Sequence, residues 1–527
     1  MAEATSTYTE YAGQAHRPYS NGSLKLPFQR PAESKRTYYS PGVEGVIANM
    51  TARMSDKDLA RMFENCFPNT LDTTVKWFSE SNNHCQSFII AGDMDAAWLR
   101  DNLWQIQAYK SLLSVDTAIQ KLWKGVINLH STFLSQAPYT NSFQPPRESG
   151  IAPVSDHVVD MSQDIVHPPT DPAITFEAKY ALDSLAAFLR VSNTYVQETN
   201  DRSVLNEQWL TALTALLTVL HEQSQSTFDD DGQLREPAAY SFQRPSALCM
   251  KSVYNGPDQP PNSGTGNPVA SGTGLIKSMF RASDDATIFP FHIPSNAMIS
   301  VELNRTSQLI HNIDTHLSKE CAELSARVRQ GTFAHGTTDH PLFGKVFAYE
   351  VDGYGSRVLM DDASPPSLLS LPYLGFLDRK DPIYQNTRRM VLSSRGNPYC
   401  LVGSQLEGQG SPHIDLKTMW PIGTIMQILT SDDDGEICKC LDTLKRSSGG
   451  LGLVHEGVNV NDCSKFLRTW YAWGNSAFGE MILDLATRKP ELLFGDSIGQ
   501  QQRQNENVVG SMSQEKETDD AATKGKL

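Results

Sequence analysis

The stretch NAMISVELNRTSQLIHNIDTHLSKECAELSARVRQ, residues 296–330, decides the fold class. Ile310, Ile313, Leu317, Cys321, Leu324 and Val328 recur at spacings of three and four, with His311, Asn312, Lys319, Glu320 and Arg327 between them. That is the period of a helix with one apolar stripe. Pro294 and Ser295 supply a start signal and Gly331 a stop, so the pattern predicts one helix over about 296–330. Similar periodicity predicts helices over 101–113, 117–134, 173–191, 203–221, 416–429 and 476–487. Leu122, Val126, Leu129 and Phe133 form one such stripe. Strand patterns are few and short, the best being FAYEVD at 347–352 and FIIAG at 88–92. Many helices, long loops and no fixed-period repeat argue against an open solenoid. They predict an all-α protein, a closed α/α toroid of helix pairs around a central pit, with a few short strands in its loops.

Outside this region the chain changes character. Residues 1–40 lack hydrophobic periodicity and 496–527 are polar, so both ends are predicted to be disordered, flanking a single domain over 41–495. The net charge is −15 over 527 residues, which repels phosphate backbones and argues against a nucleic-acid partner. No window approaches ~18 continuous apolar residues, so no membrane-spanning helix is expected. No basic segment leads into an apolar one near the start, which points to a cytoplasmic setting. The eight cysteines include no C-x-x-C pair and read as ordinary reduced thiols. Asp432, Asp433 and Asp434 precede Gly435 without calcium-loop spacing and read as a solvated turn.

Acid-rich, aromatic-rich loops punctuate the helices. GDMDAAWLRDNLWQ (92–105) carries Asp93, Trp98, Arg100, Asp101 and Trp104. FRASDDA (280–286) carries Arg281, Asp284 and Asp285, and YEVDGYG (349–355) carries Glu350 and Asp352. LMDDASPPS (359–367) holds Asp361 and Asp362, which as an Asp pair also suit helix capping. SPHIDLKTMWP (411–421) holds His413, VHEGVNVND (454–462) holds His455 and Glu456, and RTWYAWGN (468–475) holds Trp470 and Trp473. Sugars present hydroxyls to carboxylates and Arg, and C–H faces to aromatic rings. Cleaving a glycosidic bond takes two carboxyl groups, one to protonate the leaving oxygen and one to activate water or attack the sugar. Trp77, Trp123 and Trp209 sit in helical patterns and read as core.

These motifs, in this order over about 60–490, resemble glycoside hydrolase family 125, the exo-α-1,6-mannosidases. The resemblance implies an (α/α)6 barrel and release of terminal non-reducing α-mannose from an oligosaccharide, with inversion and without metal or other cofactor. It implies a general acid in the Asp284/Asp285 pair, Asp285 first and Asp284 second, and Glu456 as general base. It implies sugar contacts from Trp98, Arg100, Asp101, Arg281, Glu350, Asp352, His413 and His455. Asp95, Ala282 and the loop 411–418 depart from the family pattern near the site and bear on linkage preference.

The two carboxyls of an inverting enzyme stand ~6.5–9.5 Å apart. The acid must keep a proton, and Asp284 beside Asp285 is the neighbour expected to raise its proton affinity. The alternatives are a glycosidase of the same fold with another sugar or linkage preference, and a catalytically idle sugar-binding protein, which would lack one of the carboxyls.

Overall fold

The computed structural model describes residues 7–82, 84–155, 161–245 and 258–495. Its helices, in chain order, are α1 (Tyr8–Ala12), α2 (Pro41–Arg53), α3 (Lys57–Cys66), α4 (Asn69–Thr73), α5 (Leu99–Gln107), α6 (Thr117–Gln136), α7 (Leu182–Thr199) and α8 (Glu207–Gln223). There follow a short turn α9 (Pro261–Gly264), then α10 (Ile293–Ile310), α11 (Thr315–His335), α12 (Pro382–Val391), α13 (Pro421–Leu429), α14 (Asp434–Arg446), α15 (Ala472–Arg488) and α16 (Pro490–Phe494).

The stretch 296–330 is therefore two helices, α10 and α11, folded back on each other as an αα-hairpin. A cap interrupts the continuous stripe. Asp314 Oδ1 accepts the backbone N–H groups of His316 and Leu317 at 2.9 and 3.0 Å, starting a new helix. Ile310 is fully buried while Ile313, at the corner, is 42 % exposed, so the apolar spacing crosses a turn that it does not reveal. The predicted helix at 173–191 likewise begins only at Leu182, because Thr175–Glu177 is a strand.

Two layers emerge. Helices α5, α7, α10, α13 and α15 are buried on nearly every side. Helices α8, α11 and α14 alternate buried with exposed residues and lie outside them, α11 against α10 and α14 against α13. Within the inner layer α5 packs on α7 and α15, α7 on α10, and α13 on α15. The turns at 368–377, buried over 368–371, pack against inner helices. There the Tyr373 and Leu374 carbonyls accept from Arg190 of α7 at 3.4 and 3.5 Å, and the Tyr373 hydroxyl donates to Glu480 of α15 at 2.9 Å.

Small sheets lead into the inner helices. Ala97–Trp98 pairs with Ser142–Phe143, itself paired with Thr175–Glu177, just before α5. Phe291–His292, Glu350–Val351 and Arg357–Val358 form a sheet before α10, and Thr418–Met419, Gly457–Asn459 and Phe466–Leu467 form another before α13. They pin the loops that carry the acidic and aromatic motifs.

The expectation of disorder over 1–40 does not hold from residue 7 onward. Leu26 is fully buried, and Arg30, 5 % exposed, pairs with Asp72 at 2.7 Å and Glu44 at 2.5 Å. This segment is anchored by ion pairs and hydrogen bonds such as Gln29 N–H to Asn65 Oδ1 (2.9 Å), which leave no periodic apolar signature. The expected tail at 496–527 lies outside the described residues. Trp77 lies on the strand Val75–Ser81 and is half-buried, unlike the buried helical Trp123 and Trp209. Among the described residues no helix is long and apolar enough to cross a membrane.

Candidate active site

A cavity of about 200 Å³ opens where the inner helices begin. Trp98 and Arg100 stand at the start of α5, Asp284 and Asp285 shortly before α10, His413 and Trp420 before α13, and Trp470 and Trp473 around the start of α15. With Asp101 and Glu456, these residues converge on one space from loops far apart in the chain.

The loop 280–286 is closed at its base by a bridge between Phe280 and Ala286, and the Arg281 N–H donates to the Asp285 carbonyl at 2.8 Å. Asp284, at its tip, has φ +65°, a left-handed conformation that Asp tolerates better than most residues. Such a conformation costs on the order of 1–3 kcal/mol and persists where the surrounding contacts hold it. The Asp284 side chain is 23 % exposed and its oxygens receive Arg100 Nη1 and Nη2 at 3.1 and 3.3 Å and Asn141 Nδ2 at 3.3 Å. Burial alone would raise its pKa, but the Arg100 charge and hydrogen bonds outweigh burial and hold it below the ordinary carboxylate range. For Asp284 the Arg100 guanidinium is the dominant charged neighbour.

Arg100 is itself shared. It contacts Asp101 at 3.1 Å and lies 3.9 Å from Asp183. Burial pushes Asp101 and Asp183 up to about 6, with Arg100 pulling down and Asp284 pushing up further.

Asp285 points to the other side. Its side chain is 4 % exposed, Oδ1 lies 2.6 Å from His413 Nδ1, and Oδ2 is buried without a hydrogen-bond partner among the described residues. Burial would lower the His413 pKa, but the adjacent Asp285 charge and hydrogen bond raise it. Behind both, Asp362 Oδ2 accepts from Ser283 Oγ at 3.0 Å and Ser411 Oγ at 2.9 Å, tying the Asp284 loop to the His413 loop. Its neighbour Asp361 accepts the N–H groups of Leu368 and Leu369, as a capping Asp does.

Glu456 is 7 % exposed and precedes the strand Gly457–Asn459. Its Oε2 accepts from Arg468 Nε at 3.1 Å, and the Arg468 guanidinium also grips Asp93. Arg468 has φ +53°, so a second strained residue adjoins the second carboxyl.

Arg281, Glu350, Asp352 and His455, expected as sugar contacts, do not line the cavity. Arg281 and Glu350 form a buried pair at 2.6 Å, and Glu350 Oε2 also takes the N–H groups of Ile288 and Phe289, bracing the Asp284 loop from behind. Asp352 Oδ1 caps its own turn, accepting from the N–H groups of Tyr354, Gly355 and Ser356. His455 stacks on Phe466 at 3.7 Å between the Arg468 and Ser448 carbonyls, and burial holds its pKa down to about 4. Both Glu350 oxygens and both His455 nitrogens are thus occupied by the protein, while Arg281 Nη2 is buried without a hydrogen-bond partner among the described residues.

One wall of the cavity was missed from sequence. Glu177, Lys179, Arg244 and Asp258 face it, Arg244 bonding Glu177 at 2.8 Å and Asp258 at 3.0 Å while Lys179 reaches Asp258 at 3.0 Å. Alternation of Thr175, Glu177 and Lys179 was the one available signal, and the helical reading of 173–191 hid it. Among the described residues, no group of three or more His, Cys, Asp or Glu side chains is placed to hold a metal ion.

Residues 56–483 match the family model described as metal-independent alpha-mannosidase. The meiotically up-regulated gene 157 protein of Schizosaccharomyces pombe is 45 % identical over 492 residues, covering 93 % of this chain and 94 % of that one. A solved Streptococcus pneumoniae structure superposes with a TM-score of 0.75 at 29 % identity, covering 86 % of this chain and 100 % of that one. That structure is described as belonging to a new family of widely distributed metal-independent alpha mannosidases, in a non-productive complex with alpha-1,6-mannobiose.

Proposed function

The chain belongs to the metal-independent α-mannosidases of glycoside hydrolase family 125, and from that premise we propose that it removes terminal, non-reducing α-1,6-linked mannose with inversion. The observation that carries this reading is the convergence of Asp284 and Glu456, from loops far apart in the chain, on one aromatic-lined cavity. The α-1,6-mannobiose bound by the pneumococcal neighbour supports the linkage. An exo mode is supported by the small volume of the cavity, about 200 Å³. The inner helices, the turns at 368–377 and their outer partners support closure into an (α/α)6 toroid within one catalytic domain.

Glu456 serves as general base, held by Arg468 and activating the water that attacks the anomeric carbon. Asp284 serves as general acid. Position decides before proton affinity, because a donor must reach the glycosidic oxygen. Asp284 is the more exposed of the pair, while Asp285 is tied to His413. Arg100 favours the ionised form of Asp284 in the free enzyme. The arriving sugar displaces water and favours the neutral carboxyl. A second reading makes Asp285 the donor, favoured by its Oδ2, which has no hydrogen-bond partner among the described residues.

The test is hydrolysis of α-1,6-mannobiose followed by proton NMR from the first minute. β-Mannose should appear first. α-Mannose as the first product overturns inversion, and no release of mannose overturns the substrate.

A further inference from the structure

The segment that precedes the family match touches a residue of the cavity wall. Helix α1 opens with a capping box, Thr7 Oγ1 accepting the Glu10 N–H at 3.3 Å and Glu10 Oε2 accepting the Thr7 N–H at 2.9 Å. This presents Tyr8 and Thr9 to Trp470, a cavity-lining residue. The Tyr8 ring meets the Trp470 ring edge-on, centroids 4.8 Å apart and planes at 85°. The Trp470 indole N–H donates to Thr9 Oγ1 at 3.1 Å, and Thr469 Oγ1 donates to the Thr9 carbonyl at 3.3 Å.

The strap is tied down behind these contacts. The Tyr8 hydroxyl donates to the Gln29 carbonyl at 3.0 Å and accepts from Asn69 Nδ2 at 3.1 Å. On its far side Trp470 covers Gly92, whose added Cβ would sit 3.7 Å from the indole Cη2. The indole is thus clamped between the strap and the loop that carries Asp93. Its only polar atom is satisfied from outside the family match at 56–483.

We propose that Thr9 is a positioning residue of the cavity, orienting Trp470 as an aromatic face for the sugar, with Tyr8 as its buttress. Without the Thr9 hydroxyl, a buried indole N–H loses its acceptor and the ring is free to turn. The inference rests on the glycosidase reading, since Trp470 matters here only as a sugar platform.

The experiment uses the full chain with Thr9→Val, which keeps shape and removes the acceptor, and Thr9→Ser, which keeps the acceptor. KM and kcat on α-1,6-mannobiose and the thermal midpoint are measured for each. Thr9→Val should raise KM roughly three- to tenfold, the scale of one hydrogen bond, with kcat within about twofold and an unshifted midpoint. Thr9→Ser should restore the KM. A wild-type KM in Thr9→Val overturns the inference while leaving the glycosidase reading intact. So does a KM rise that Thr9→Ser fails to correct, or that comes only with a lowered midpoint. A wild-type chain that releases no mannose overturns both.

Discussion

Arg100 and Asp284 lie 184 positions apart in the chain, yet Nη1 of one stands 3.1 Å from Oδ1 of the other. The contact joins the first turn of α5 to the loop before α10 and sets the charge on the carboxyl assigned as acid. Because Arg100 holds Asp284 below the ordinary carboxylate range, the free enzyme carries little protonated acid at neutral pH. Since kcat/KM reports the free enzyme, it should climb as pH falls from 7 towards 5, by up to about tenfold per unit. Arg100→Gln removes the depressing charge, so its alkaline limb should shift to higher pH even as overall activity drops. A pH profile of kcat/KM for both proteins checks this. An unshifted limb in Arg100→Gln would mean that Asp284 is not the titrating acid.

Replacing either catalytic carboxyl should cost ~10²–10⁴ in kcat on mannobiose without unfolding the chain. The two losses differ in kind. A dinitrophenyl α-mannoside has a leaving group that needs no proton, so it should restore most of the rate to Asp284→Asn. Glu456→Gln should stay inactive on it. Asp285→Asn separates the two readings of the acidic pair: it should keep measurable activity on mannobiose, and rescue confined to Asp285→Asn would transfer the acid role to Asp285.

How much of this was legible from sequence depends on what each residue touches. Helical periodicity located the inner helices, because burial on all sides leaves an apolar pattern. It did not see the corner at 311–314, where Asp314 restarts the helix inside an unbroken apolar spacing. The motif loops yielded Trp98, Arg100, Asp101, Asp284, Asp285, His413 and Glu456 as cavity residues. The same loops yielded Arg281, Glu350, Asp352 and His455, which face the protein instead. Composition cannot separate these sets, since a carboxylate that binds a sugar hydroxyl and one that binds a backbone N–H occur in the same kind of loop. Arg244 and the Tyr8–Thr9 strap were missed because their partners are distant in the chain and polar.

Asp183 gives a prediction about stability. It is fully buried, and burial raises its pKa to about 6 in the folded protein. A raised folded pKa means that the group's stabilising contribution is complete below the unfolded value near ~3.9 and is lost as pH rises through about 6. Asn at this position does not titrate. Relative to wild type, Asp183→Asn should therefore gain on the order of 2–3 kcal/mol between pH 4 and 7. Urea denaturation at the two pH values measures the difference, and a gap that does not change with pH would contradict the assignment.

Asp362 offers the sharpest separation of scaffold from chemistry. It lines no part of the cavity, yet its Oδ2 takes hydroxyls from both Ser283 and Ser411, and its Oδ1 takes the Ser364 N–H at 3.0 Å. Truncation to Ala strands three buried donors, each costing ~1–3 kcal/mol where water cannot reach. Part of that cost is recovered as the serine hydroxyls rotate, so a net loss of roughly 2–5 kcal/mol is expected. The functional loss should exceed what unfolding explains, because the two loops joined by Asp362 carry Asp284, Asp285 and His413. At a temperature where Asp362→Ala is still folded, kcat should fall by at least about tenfold, as a misplaced donor no longer meets the glycosidic oxygen. Asp362→Asn keeps the acceptor oxygen and should lie between the two proteins in both stability and rate. A folded Asp362→Ala with wild-type kcat would show that the loops hold their positions without this clamp.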